Sequence, residues 1–200
     1  MSEFLAPVTL CGQHATLEPL THDHVDALAR ACADGKLWEL WYTSVPRPQA
    51  MADYVDHVLA EQADGAALPF AVRSMATDEI VGCTRYMHVD ASNRHVEIGG
   101  TWYAQSVQRT GVNTECKAML LRHAFETMGC IRVELRTHWM NHASRAAIAR
   151  LGAKQEGLLR NDRILADGSY RDTVVFSIIA SEWPAVRRHL NFKLERNLQS

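Results

Sequence analysis

The chain has 200 residues, enough for one domain with a sizeable core, and its 47% apolar and 22% charged residues are those of a globular protein. With 21 basic and 23 acidic side chains the net charge is −2, which supplies no basic field for nucleic acid and no acidic tail. The apolar run Phe4–Leu10 is broken by Pro7 and has no basic region before it, so neither a signal peptide nor a membrane span is expected. The five cysteines (11, 32, 83, 116 and 130) are scattered without a C-x-x-C, the pattern of reduced thiols in a cytoplasmic protein. The pairs His22/His24 and His138/His142 have no further acidic or cysteine partner at ligand spacing, and no metal is expected.

In chain order, His14–Leu20 alternates as a short strand, and Thr21 caps a helix to about Ala33. Trp38–Tyr42 is aromatic-rich, and Pro46 and Pro48 break the chain before a second amphipathic helix over about Gln49–Gln62. Leu68–Met75, Glu79–Val89 and His95–Tyr103 read as an antiparallel meander with turns at Thr77-Asp78 and Ala91-Ser92-Asn93. Val112–Met128 keeps helical period up to Gly129. Ile131–His138 alternates as a strand, and Ala143–Leu151 forms a helix that ends on Gly152. Two strands near Ala153–Ile164 and Thr173–Ile179 are joined by the turn Ala166-Asp167-Gly168-Ser169, and Ser181 caps a last helix with the stripe Trp183, Val186, Leu190 and Leu194. The order β-α-α-β-β-β-α-β-α-β-β-α, without repeat or linker, predicts a single domain.

The segment richest in chemistry runs strand, loop, helix: His95–Tyr103, then Gln108, Arg109, Thr110, Gly111, Val112 and Asn113, then the helix. A glycine there lets backbone amides point outward together, and the helix N-terminus adds free N–H groups and partial positive charge, a site for a pyrophosphate. No Gly-Lys-Ser/Thr follows, and there is no G-x-G-x-x-G, so neither of those nucleotide loops is present.

Gln108-x-x-Gly111-x-Asn113 resembles the Q/R-x-x-G-x-G/A acyl-CoA loop of the GNAT superfamily of N-acetyltransferases. Asn141-x-x-Ser144 followed by Arg150-Leu151-Gly152-Ala153 resembles that family's second cofactor motif. Glu97-Ile98-Gly99 and Asp167-Gly168-Ser169-Tyr170-Arg171-Asp172 are similar to its ribosomal-protein (RimJ/RimL-type) branch. The resemblance covers about Ala15 to Leu190. It implies an α/β (α+β) fold: a mixed, mostly antiparallel twisted sheet of about seven strands, flanked by helices, with an extra C-terminal helix. The fourth and fifth strands, ending near Tyr103 and His138, splay apart, and Gly99-Gly100 marks a bulge. It implies acetyl-CoA or coenzyme A as co-substrate, the arm of which pairs with the backbone of Thr101, Trp102 and Tyr103. Two positions depart from the pattern. Asn113 replaces the second Gly/Ala, where it tolerates unusual φ or caps the helix. Ile148, seven residues after Asn141, stands where many relatives carry a tyrosine general acid, which leaves Ser144.

Transfer to an amine needs a base, oxyanion stabilisation and a proton for the thiolate. Glu97, beside the thioester, is the candidate base, with a structural role as the alternative. Ser144 is the candidate proton donor, with helix capping as the alternative, and Asn141 holds the pantetheine amides. Cys116 reads as a core position and a poor nucleophile. Trp38, Trp41, Tyr42 and Tyr170 line an acceptor pocket or belong to the core. The expected partners are an acyl-CoA and an amine, a protein N-terminus or small molecule, with no nucleic acid or membrane, in a monomer or homodimer. The rival readings are a succinyl-CoA or other larger acyl-CoA enzyme, for which Arg85 or Arg136 would supply the cation, and a non-catalytic acyl-CoA-binding module.

Overall fold

The computed structural model describes residues 4–165 and 167–197. Eight strands form one sheet: β1 (Leu10–Cys11), β2 (Ala15–Pro19), β3 (Leu68–Ser74), β4 (Ile80–Asp90), β5 (His95–Tyr103), β6 (Arg132–His138), β7 (Lys154–Ile164) and β8 (Tyr170–Ile179). Their order is β1-β2-β3-β4-β5-β6-β8-β7, antiparallel at every pairing but β5–β6. The helices are α1 (Val25–Ala33), α2 (Met51–Ala63), α3 (Gly111–Arg122), α4 (His142–Arg150) and α5 (Trp183–Asn197). The two-residue β1, paired Leu10↔Leu17, is the strand that sequence alternation does not disclose, being too short to alternate.

The period-2 pattern decides which face each strand offers. Tyr86 on β4 sends its hydroxyl to the Leu120 carbonyl of α3, whereas its neighbour Arg85 faces Glu61 of α2. So α1 and α2 cover one face of the central strands and α3 lies on the other, where the α5 stripe Trp183, Val186 and Leu190 is also buried. α4 packs over β6 and β8.

Three boundaries differ from the sequence pattern for local reasons. The helix expected over Val112–Met128 is α-helical only to Arg122, and His123–Thr127 winds as a π-helical turn. The Tyr86 hydroxyl donates to Leu120 O at 2.5 Å just where the ladder changes, and a polar group inserted at a helical carbonyl is a usual cause of such a bulge. α5 starts at Trp183, so Ser181 precedes its cap position. β8 begins at Tyr170 rather than Thr173, because β7 and β8 resume pairing at Arg163↔Arg171 beyond an irregularity. In the turn that joins them, Ala166 lies outside the described residues, and Asp167 Oδ1 accepts from Ser169 N–H (3.0 Å).

Candidate functional site

β5 and β6 pair in parallel from His95↔Arg132 to Glu97↔Glu134 and no further, although β5 runs on to Tyr103 and β6 to His138. The expected splay is therefore present, between strands that are fifth and sixth here because of β1. The bulge is present as well. From Cys83 to Arg85 β4 advances two residues while β5 advances three, from Trp102 back to Gly99. Gly100 takes φ +56, and a Cβ there would stand 2.9 Å from Arg85 Nε, so the position demands glycine twice over. The side chains of Thr101, Trp102 and Tyr103 are engaged inward: Trp102 and Tyr103 are buried, and Thr101 Oγ1 lies 2.7 Å from Thr84 Oγ1. What these three residues offer a ligand is backbone.

The expected loop joins this strand to α3. Gln108 Nε2 donates to Tyr103 O (3.0 Å), closing the loop back onto β5, and Arg109 takes φ +63. Thr110 is the N-cap, its Oγ1 accepting from Val112 N–H (3.3 Å). Gly111 and Asn113 thus occupy the first and third helical positions, where amides lack intrahelical acceptors. Gly111 is required sterically, since a Cβ would meet the His14 ring at 2.6 Å. The loop is anchored from beneath by Glu115, whose buried carboxylate accepts from the N–H groups of Gln13 (2.8 Å), His14 (2.6 Å) and Ala15 (2.8 Å). That ties the start of β2 to the first turns of α3.

Across the splay, Asn141 rather than Ser144 caps α4: its Oδ1 accepts from Ser144 N–H (3.0 Å). This leaves Asn141 Nδ2 and the half-buried Ser144 hydroxyl without hydrogen bonds among the described residues. Ile148 is buried in the core.

Glu97 occupies the last register position before the strands part. Its side chain is 6% exposed; Oε2 lies 2.7 Å from His88 Nδ1 and 3.4 Å from Arg136 Nε. The hydrogen bond to Glu97 raises the His88 pKa, against burial, which lowers it. On the other face, buried Lys117 of α3 donates to Thr101 Oγ1 (2.6 Å), and burial depresses its pKa to about 8. Burial likewise pushes the Cys116 thiol up to about 12, which disqualifies it as a nucleophile at neutral pH. Arg85 faces Glu61 at 2.8 Å, and Arg136 is paired with Glu134.

Of the four aromatics, Trp38 packs against the core. Trp41 and Tyr42 gather at His138, with ring centroids 5.0 and 6.3 Å away, and Tyr170 is exposed on the β7–β8 hairpin. His88 carries no sequence signal as a partner of Glu97. A bulge at His88–Val89, with His88 at φ +47, brings it there and cannot be read from alternation. Lys117 is hidden for another reason: a lysine inside a helix is ordinarily placed at the surface.

A family model described as an acetyltransferase (GNAT) domain matches residues 14–154. Among curated proteins, the putative ribosomal N-acetyltransferase YdaF of Bacillus subtilis (strain 168) is 32% identical over 104 residues, 52% of this chain and 56% of that protein. The chain thus matches little more than half the length of that relative. A crystal structure of a putative acetyltransferase from T. thermophilus superposes with a TM-score of 0.82 at 31% identity, covering 94% of this chain and 98% of that one. Mycobacterium smegmatis RimJ in complex with CoA-disulfide gives 0.79 at 26% identity, covering 94% and 95%. The match over residues 14–154 spans more than half of the chain, which belongs to the GNAT family of acetyltransferases.

Proposed function

We propose that the chain is an acyl-CoA-dependent N-acyltransferase that moves acetyl from acetyl-CoA to a primary amine. The observation that carries this is the parting of β5 from β6 beyond Glu97↔Glu134, which leaves a bulged strand with backbone free to pair and a helix N-terminus at its far end. Amides at Arg109, Gly111 and Asn113 suit the pyrophosphate, in a loop held shut by Gln108 and capped by Thr110. The Thr101–Tyr103 backbone suits the pantetheine amides, with Asn141 Nδ2 as a further donor from the start of α4.

Glu97 then takes the proton of the attacking ammonium, and half-exposed His88 offers that proton a way to solvent. The neutral nitrogen adds to the thioester carbonyl, and a backbone N–H near Tyr103 stabilises the oxyanion. Collapse breaks the C–S bond, Ser144 Oγ–H protonates the thiolate, and the proton that the nitrogen sheds on becoming an amide restores the Ser144 hydroxyl through water. A polar route from Glu97 to solvent favours catalysis over mere acyl-CoA binding. Arg85 and Arg136 already face carboxylates, which favours acetyl over a succinyl donor.

The test is thiol release from acetyl- and succinyl-CoA across a panel of amines and peptides. Glu97→Gln should lower kcat about 100-fold or more with coenzyme A affinity intact, and Ser144→Ala should lower kcat with KM for acetyl-CoA unchanged. Full activity in either variant removes that residue's role, and the lack of any coenzyme A-dependent thermal shift at millimolar ligand removes the donor site.

A further inference from the structure

Beyond Glu97, on the same face of the sheet, lie two hydrogen-bond donors, one without an acceptor and one without a carboxylate partner among the described residues. His138 ends β6 and is 5% exposed. Its Nδ1 accepts from Met140 N–H (3.0 Å), so the imidazole proton sits on Nε2. That Nε2 is buried and has no hydrogen-bond partner among the described residues. A buried donor without a partner costs free energy, and a group bound at the site it faces is one explanation.

The second donor is Arg171. His138 pairs with Thr173 across β6–β8, and Arg171 lies two residues from Thr173 on that same strand face. Its Nε donates to Thr173 Oγ1 (3.0 Å), and no carboxylate lies within 4.0 Å of its guanidinium among the described residues. The residue directly opposite on β7 is Arg163, an arrangement of like charges that destabilises a bare sheet. Of the acids nearby, Glu97 faces His88 and Arg136 and Asp172 faces Arg160 (2.7 Å), while Asp162, 3.6 Å from Arg163, has a buried Oδ2 without a hydrogen-bond partner among the described residues and makes no ion pair with Arg171. Trp41, 62% exposed, stands edge-on over His138, with Tyr42 beside it.

We propose that the acceptor is a small amine carrying an anionic oxygen group, carboxylate or phosphate, which His138 Nε2–H and the Arg171 guanidinium bind together while Trp41 and Tyr42 cover its apolar part. The proposal rests on the acyl-transfer reading, since it places the amine at Glu97 and the anion beyond it. A donor pair that includes the charged Arg171 rewards an anion over a neutral carbonyl, and so distinguishes such an acceptor from the first residue of a polypeptide.

The experiment is calorimetric binding to the coenzyme A-loaded protein, which needs no turnover. L-Phenylalanine is compared with its amide and with a peptide beginning in phenylalanine, and phosphoethanolamine with ethanolamine; these arms separate carboxylate from phosphate. The anionic member of at least one set should bind roughly 10- to 100-fold tighter. Arg171→Met should abolish that preference, Arg171→Lys should keep part of it, and His138→Phe should weaken the anion while retaining an aromatic ring. Equal affinity of anionic and neutral members, tighter binding of the peptide, no binding at millimolar concentration, or a preference that survives Arg171→Met would overturn the proposal. Thiol release without anion preference would leave acyl transfer standing and remove this inference. Anion preference without thiol release would leave an anion subsite at His138 and Arg171 and overturn its reading as the acceptor's.

Discussion

Lys117 projects from the second turn of α3 into the interior beneath the β5 bulge, where its ammonium donates to Thr101 Oγ1 (2.6 Å) and has no carboxylate within 4.0 Å among the described residues. Burial lowers its pKa from 10.5 to about 8. A lysine with a depressed folded pKa binds fewer protons folded than unfolded between those values, so stability rises with pH across that window and is at its lowest below it. A difference of 2.5 units corresponds to about 3 kcal/mol of penalty at pH 7. Replacement by methionine removes the buried charge, fills similar space, and leaves Thr101 Oγ1 still bonded to Thr84 Oγ1 at 2.7 Å. After allowing about 1 kcal/mol for the lost hydrogen bond, Lys117→Met should stabilise the protein by about 2 kcal/mol at pH 7. The advantage should vanish by about pH 10. Unfolding in urea at pH 7, 8.5 and 10 measures it; the thiols of the unfolded chain also titrate in this range, but they are common to both proteins and cancel. A variant less stable at pH 7, or a difference that does not change with pH, would refute the reasoning.

Other expectations concern the donor loop and the Glu97 pair. Gly111→Ala drives a methyl into the His14 ring, so it should cost about 1–3 kcal/mol and weaken coenzyme A binding; His14→Ala in the same chain should recover the stability, which thermal melts will show. Glu115→Gln replaces one of two carboxylate oxygens that together accept from three amides, and should cost about 2–4 kcal/mol in chemical unfolding. Glu97 raises the folded pKa of His88, so the pair's contribution is full below about pH 6.5 and fades as pH rises through the folded value. His88→Gln should therefore lower Tm at pH 5.5 more than at pH 8.5, and an equal loss at both would count against the pair.

The fold was readable wherever a periodic pattern was long enough to average over local irregularity. Met51, Val55 and Val58 in α2, and Trp183, Val186 and Leu190 in α5, are buried where helical spacing put them. Legibility fails where one side chain from a distant strand intervenes. The π-helical turn at His123–Thr127 coincides with the Tyr86 hydroxyl, 34 positions away from the carbonyl it meets. No window on α3 alone contains that information.

The same distinction divides the two sides of the site. The proposed donor site rests on backbone, and backbone demands leave marks in sequence: Gly100 at positive φ, Gly111 against His14, Thr110 as cap, Asn141 as cap. The proposed acceptor side rests on side chains brought together by register. His88 meets Glu97 through a bulge in β4, and Arg171 meets Arg163 only after an irregularity in β7, where Asn161 takes φ +52. Moving either bulge by one residue would turn the neighbouring side chains to the other face of the sheet. Such a register shift removes an acceptor contact while leaving the donor loop untouched. On the proposed reading the donor loop and the acceptor contacts can vary independently, and it is His138 and Arg171, not the names that relatives carry, on which the proposed acceptor of this chain rests.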